Sequence, residues 1–416
     1  MSNIYKVFAK VVLERISKLL DEQQPVEQAG FRKGFATVDH IHTLKQVVEK
    51  YKEYNKKIYI AFVDYAKAFD SLDHKSIWES LQQQGIPDIY IRILKNIYSN
   101  SKARIQLESL GDEFSIQRGV RQGDPLSPKL FSAVLEGIFR KLNWEEYGIN
   151  INGRKMHHLR FADDIVLFEE NPEKLSCMIN DLDEKSSKVG LQMNTTKTKL
   201  MTNHAKFNIA VKGISLEYVE DYIYLGQIIS TEDQMTKEIN LRIATGWKKY
   251  WSLKEIMKSR DLNMSIKKKA FNTCVLPCLT YGCETWNLTK VLREKLAVTQ
   301  RAMERSMTGF KRLDKISNSD LRKLTKVTDI LKRIDQQKWR WAGHIMRDKM
   351  GKWSKSVTEW YPRDGKRKRG RQHTRWEDEI KLTAETNWRR VAQDRHQWRS
   401  LEEAFAYRHA ELRDIL

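Results

Sequence analysis

The chain reads as an α+β protein built around a β-α-β-β-α-β unit, and three observations predict it. The run Ile58-Tyr59-Ile60-Ala61-Phe62-Val63 is continuously apolar and ends on Asp64, the pattern of a strand buried on both faces. Two further strand-like runs within residues 157–168 bracket Asp163-Asp164, so the aspartates read as a hairpin tip. Residues 128–142 and 172–188 carry apolar side chains at helical spacing, opened by Ser127-Pro128 and Asn171-Pro172. In this strand order the two inner strands are neighbours, which brings Asp64 toward Asp163 and Asp164.

The remaining elements follow in order. Residues 1–20 form an amphipathic helix with Ile4, Val7, Phe8, Val11, Val12, Ile16, Leu19 and Leu20 on its apolar face. Pro25 ends it, and a glycine-bracketed basic loop, Gly30-Phe31-Arg32-Lys33-Gly34, follows. Such a loop offers two cations and bare amides to a phosphate, or is simply a solvated charged turn. Thr37-Val38-Asp39-His40 caps a helix with Ile41, Leu44, Val47 and Val48 inward. Helices are predicted at 74–84, stopped by Gly85, and at 87–99, started by Pro87. A hairpin runs from Arg104 to Leu107, turns at 111–112, and returns over Phe114 to Gln117. In Gly119-Val120-Arg121-Gln122-Gly123 two glycines flank an Arg-Gln pair and feed a helix start, a cradle for an anion or a base pair. That next helix is strongly amphipathic, through Leu130, Phe131, Val134, Leu135, Ile138, Phe139 and Leu142. Tyr222-Ile223-Tyr224-Leu225-Gly226 begins a last hairpin.

Composition narrows the partners. A length of 416 residues suits two to four domains. Lys and Arg number 75 against 54 Asp and Glu, a net charge of +21, which suits a polyanion. No run approaches the roughly 18 apolar residues of a membrane span, and no signal peptide opens the chain. A nuclear or cytoplasmic protein, neither secreted nor membrane-bound, is expected. Cys274, Cys278 and Cys283 lie in an apolar stretch without histidine and read as core rather than zinc ligands. Residues 311–416 hold 28 Lys and Arg against 16 Asp and Glu, and seven of the twelve tryptophans. Most of those tryptophans are expected in a small helical core, leaving the cations to bind nucleic acid. Lys366-Arg367-Lys368-Arg369-Gly370-Arg371 reads as a nucleic-acid contact or a nuclear-localisation patch.

Adjacent aspartates repel, and a divalent ion relieves that repulsion; an ordinary polar turn is the bland alternative. Three converging carboxylates on a basic protein fit two-metal phosphoryl transfer, with ions about 3.5–4 Å apart.

The segments Asn3 to Phe8, Glu27 to Gly34 (EQAGFRKG), Phe62 to Asp70 (FVDYAKAFD) and Gly119 to Pro128 (GVRQGDPLSP) then carry a resemblance. Phe161 to Asp164 (FADD), Leu191 to Lys199 (LQMNTTKTK) and Tyr224 to Gly226 (YLG) complete it. In this order, over residues 3–240, they resemble the reverse transcriptase domain of LINE-type (non-long-terminal-repeat) retrotransposons. Leu279 to Trp286 and Trp339 to His344 resemble the thumb and C-terminal region of the RTE-like branch.

The resemblance implies a right-hand polymerase. Fingers would span 1–57, the palm 58–230 with a fingers insertion at about 71–117, and a helical thumb 231–325. A mostly helical, basic nucleic-acid-binding region, including Lys366, Arg367, Lys368, Arg369 and Arg371, would fill 326–416. The implied activity is RNA-directed DNA synthesis: a DNA primer's 3′-hydroxyl extended on an RNA template with deoxynucleoside triphosphates. Asp64, Asp163 and Asp164 would hold two Mg²⁺ ions, with Mn²⁺ as a substitute. Arg32, Lys33, Tyr65, Phe69, Gln122 and Lys197 would form the nucleotide site, Phe69 excluding a 2′-hydroxyl. Tyr224, Leu225 and Gly226 would brace the primer end. Phe35-Ala36 replaces the polar pair usual after the fingers-loop glycine, which points to altered triphosphate affinity. Full-length relatives carry an upstream endonuclease, so a chain beginning at the fingers is expected not to cut its own target. Two rival expectations stand beside this one: a catalytically silent, transposon-derived nucleic-acid-binding protein, and an RNA polymerase sharing the palm.

Overall fold

A computed structural model describes residues 2–367 and 374–408. The described residues form two compact units: 2–43 with 50–225 and 356–367, and 44–49 with 226–355 and 374–408.

The first unit is built on a five-stranded sheet. Its strands are β1 (Tyr59–Val63), β2 (His158–Phe161), β3 (Asp164–Glu169), β4 (Lys199–Thr202) and β5 (Glu217–Tyr218), in the order β5-β4-β1-β3-β2. All neighbours are antiparallel except β5 with β4. The α+β expectation and the central position of β1 are borne out. Every β1 residue is buried: Tyr59, Ala61 and Val63 face the helix-packed core, and Phe62 on the other face is covered by Tyr222 and Tyr224. Helices Ser127–Phe139 and Pro172–Ser187 pack with it, the second capped by Asn171 on the amides of Glu173 and Lys174.

Several details differ from the sequence reading. Helix Ser127–Phe139 is not amphipathic in place: every residue from Leu130 to Phe139 is buried, Ser132 and Glu136 included. Leu142 lies beyond its end. Glu136 is tolerated because Arg160, itself 1% exposed, donates to it at 2.7 Å and lies over the Phe139 ring at 4.1 Å. Helix Asn3–Gln23 buries Ala9, Val12, Ile16 and Leu20, while Ile4 (84%) and Val7 (64%) are exposed with Phe8 and Val11. Its inward stripe is therefore narrower than its apolar composition suggests.

The predicted 104–117 hairpin exists, but its ladder pairs Lys102–Ala103 with Phe114–Ser115 and its tip bridges Gln106 to Leu110. Glu113 joins Lys102 and Arg104 across it and sets that register. A hairpin over Ile149–Ile151 and Arg154–Met156 was not anticipated. Its turn is Asn152-Gly153, both left-handed, the residue pair that most favours a two-residue turn.

The second unit is helical, with one core along residues 239–334 and another along residues 339–405. Cys283 is buried in the first of these, whereas Cys274 and Cys278 are only partly buried. Six of the seven C-terminal tryptophans are buried as expected, Trp341 being partly so. Trp339 and Trp398 stack at 3.9 Å, each indole N–H donating to the other's carbonyl. Arg293 makes a fork to Asp335 and reaches Glu379, which Lys338 also contacts at 2.6 Å. Among the described residues no helix is long and apolar enough to cross a membrane.

Removing Glu136 leaves the Arg160 guanidinium buried without its carboxylate. Glu136→Ala is therefore expected to cost about 3–5 kcal/mol in chemical denaturation. A loss within error of zero would show that Arg160 is compensated elsewhere.

Candidate active site

The antiparallel register pairs Val63 with Ile165 and Phe161 with Asp164. Continued by one residue, it sets Asp64 opposite Asp164 at the open end of the sheet. The β2–β3 turn is two residues, Ala162-Asp163, with Ala162 left-handed at φ 58°. The conformation is held from outside. Ala29 N donates to Arg160 O at 2.9 Å, Arg160 N donates to Glu27 O at 2.8 Å, and Gly30 lies against the turn. A Cβ on Gly30 would stand 2.4 Å from Ala162 N, so only glycine permits this approach.

Asp64 is fixed through its backbone. It accepts from Asn194 N at 2.8 Å, and Thr198 Oγ1 accepts from its N–H at 3.2 Å. Asn194 also folds the 194–198 loop, accepting from Lys197 and Thr198 N–H groups, and this presents Lys197 Nζ 3.8 Å from Asp64 Oδ2. Asp64 Oδ2 is buried yet accepts no hydrogen bond. Asp163 is pushed up by burial and then by Asp64. Asp164, although at the exposed end of its strand, is pushed up to about 6 by burial and by the charges of Asp163 and Asp64. Burial and neighbouring negative charge thus favour the neutral forms of Asp163 and Asp164.

Tyr222, which the sequence reading did not single out as a site residue, belongs here. Its ring stacks on Phe62 at 4.0 Å, and burial with the Asp164 and Asp64 charges pushes its phenol up to about 12. The signal available was its alternation with Tyr224 on one strand. Tyr224 is buried with its hydroxyl unpartnered, also raised by burial and by Asp164. Leu225 and Gly226 form the left-handed turn that follows it.

Phe69 lies in the short helix Ala68–Ser71 that follows Asp64. Its ring stacks on Phe131 at 4.5 Å and meets Phe31 of the glycine-bracketed loop edge-on at 6.5 Å. Val120 N donates to Phe69 O at 2.8 Å, and Gln122 reaches Asp70 at 3.4 Å. Arg121 is turned inward onto Ile97 O and Ser101, leaving Gln122 exposed.

Three expected residues are placed differently. Arg32 donates to the carbonyls of Pro25, Gln28 and Asp21 and lies over Phe35, so it braces its own loop, while Lys33 is exposed. Tyr65 is 5% exposed and its hydroxyl pairs with Ser186, which withdraws it into the core. Arg367 pairs with Glu53 at 2.8 Å, and Lys366 is exposed. Lys368, Arg369 and Arg371 lie outside the described residues.

The donor set suits a hard divalent cation: carboxylate oxygens, one of them buried and unpartnered, whose mutual repulsion a cation would relieve. Among the described residues no three His, Cys, Asp or Glu side chains are gathered as a full ligand set.

Residues 1–229 match the family described as reverse transcriptase (RNA-dependent DNA polymerase). An uncharacterized transposon-derived protein of Caenorhabditis elegans is 34% identical over 269 residues, 60% of this chain and 96% of that protein. A Pol polyprotein from the type-1 retrotransposable element R2 of Nasonia vitripennis is 29% identical over 251 residues, 56% of this chain and 24% of its own length. An RNA-directed DNA polymerase from the X-element of Drosophila melanogaster is 24% identical over 83% of this chain and 39% of its own length. The chain thus spans well under half of these two longer relatives. Among solved structures, apo telomerase from Candida Tropicalis aligns over 84% of this chain and 55% of its own, at a TM-score of 0.46 and 13% identity.

A carboxyl raised to about 6 makes the folded state hold more protons than the unfolded state between pH 4 and 6. The stability that Asp164 contributes is present below pH 4 and lost as pH rises through about 6. In metal-free buffer at pH 7, Asp164→Asn is expected to melt roughly 2–4 °C above wild type, the gap closing toward pH 4. A variant that melts lower at pH 7 would mean the carboxylate is favourably held.

Proposed function

The chain belongs to the reverse transcriptase (RNA-dependent DNA polymerase) family, and on that premise we propose that it extends a DNA 3′-hydroxyl on an RNA template. The sequence motifs and the retrotransposon relatives agree on the non-long-terminal-repeat type. One observation supports the reading: Asp64 and Asp164 fall opposite each other at the end of a buried sheet with Asp163 in the turn between its strands, and Asp164 is raised by burial and by the other two charges.

In this reading fingers are residues 1–57, the palm 58–230, the thumb 231–325 and a basic nucleic-acid-binding region 326–416. Asp64, Asp163 and Asp164 would hold two Mg²⁺ ions, the remaining ligands coming from the triphosphate and water. Bound there, the metal supplies Lewis acidity for the attacking 3′-hydroxyl and the leaving pyrophosphate. Lys197, 3.8 Å from Asp64, would neutralise or protonate that pyrophosphate. Gln122 supports the nascent base pair, and Lys33 meets the triphosphate from the fingers. The Phe69 ring, fixed by Phe131, stands against the sugar and excludes a 2′-hydroxyl. Tyr224 to Gly226 brace the primer end, and Tyr222 walls the site beside Asp164.

Primer extension on an RNA template tests this directly. Asp163→Asn with Asp164→Asn is expected to lower extension at least ~100-fold, the equivalent of about 3 kcal/mol or more of transition-state stabilisation. The same pair should abolish the rise in Tm that millimolar Mg²⁺ gives wild type. Equal extension by the variant would remove the aspartates from the chemistry.

The sugar gate makes a separate prediction. Phe69→Val should raise ribonucleotide incorporation relative to deoxynucleotide incorporation. An unchanged ratio would assign Phe69 to packing alone.

A further inference from the structure

A cleft of about 720 Å³ opens in the second unit, and none of its lining residues is one discussed above as a polymerase site residue. One wall is helix Ile330–Met346. Gln336, Arg340, His344 and Arg347 fall at spacings of four, four and three, so they share one face of it. The opposite wall is the segment 395–403, which supplies Arg395, Arg399, Glu402 and Glu403. The floor is Trp398, held flat by its stack on Trp339 at 3.9 Å and 5°. Gly343 lets the walls close on that floor, since a Cβ there would lie 2.5 Å from Trp398 Nε1. The shape is thus fixed by buried aromatic packing.

Its charge is unbalanced. Four guanidiniums face two carboxylates. Glu402 is already engaged by Arg340, accepting from Nε and from a terminal nitrogen at 2.6 Å. That leaves Arg347, Arg395 and Arg399 with Glu403 alone among the lining acids. Arg347 gives one terminal nitrogen to Ala392 O, but its Nε is buried and has no hydrogen-bond partner. Burial, with Arg395 nearby, makes its charged form costlier. Convergent arginine forks with spare donors in a rigid cleft favour a bidentate oxyanion.

We propose, resting on the reading of residues 326–416 as a nucleic-acid-binding region, that this cleft binds the phosphodiester backbone of a nucleic acid strand through residues distinct from the three aspartates. Three spare guanidiniums suit one or two phosphates, and a surplus of cations suits a polymer better than a single small anion. The aromatic floor is covered by its own stack, so the contact is to backbone and not to bases.

The test is fluorescence anisotropy of the full chain with labelled RNA and DNA strands of equal length across a salt series. Arg395→Gln with Arg399→Gln, both exposed in the free protein, should weaken binding about tenfold at low salt and reduce the log–log salt slope by roughly 1–2. Glu403→Gln should tighten binding. Lys269→Gln with Lys290→Gln, an equal charge loss elsewhere on the same unit, should leave the slope nearly unchanged. Comparison of the RNA and DNA arms then identifies which strand the cleft holds. The proposal is overturned if the arginine pair binds like wild type or if the lysine pair loses as much. It is likewise overturned if a deoxynucleoside triphosphate or pyrophosphate displaces the strand through these arginines at low concentration.

Discussion

Three carboxylates ending two neighbouring strands impose an electrostatic cost that the rest of the first unit is arranged to sustain. The antiparallel register of β1 with β3 leaves Asp64 opposite Asp164, with Asp163 in the turn beside them. Lys197 pairs with Asp64 at 3.8 Å but lies largely in solvent, where an ion pair is worth little. Asp164 is accordingly raised to about 6. Such an arrangement survives because the surrounding sheet is buried and rigid, and stored strain of this kind concentrates where function demands it.

The supports are specific. Residues 27–30 pair with β2 and close over the turn at Gly30, and Arg160 in that strand is anchored on Glu136. The 194–198 loop folds around Asn194 and hangs from the Asp64 carbonyl. Four motifs separated along the chain therefore converge on one sheet end, and each is held by backbone hydrogen bonds. Gln122 and Lys33, which the sequence offers as substrate contacts, are exposed.

Much of this was legible in the residues. The unbroken apolar run before Asp64 announced a central strand, and the Asp-Asp pair between apolar runs announced the hairpin. The unexpected parts have physical reasons. Arg32 looked like a phosphate contact, but the carbonyls of Asp21, Pro25 and Gln28 claim its guanidinium. The apolar face of helix Asn3–Gln23 overstated its burial, because periodicity reveals a stripe and not what covers it. Asn152-Gly153 carried a clear hairpin signal that the strong motifs on either side overshadowed. Tyr222 alternates with Tyr224 on one strand, but its place beside Asp164 arises from packing on Phe62, which the alternation does not reveal. The C-terminal tryptophans were read correctly as core, and their stacking gives the arginine cleft a fixed floor.

The central claim is that Asp64, Asp163 and Asp164 act together as a divalent-ion site completed by substrate. Mn²⁺ titration followed by electron paramagnetic resonance, with an RNA template, a DNA primer and a deoxynucleoside triphosphate present, tests it most directly. Wild type should bind two ions per chain, and Asp64→Asn should lose at least one while remaining folded. Two ions bound with unchanged affinity by Asp64→Asn would contradict the account.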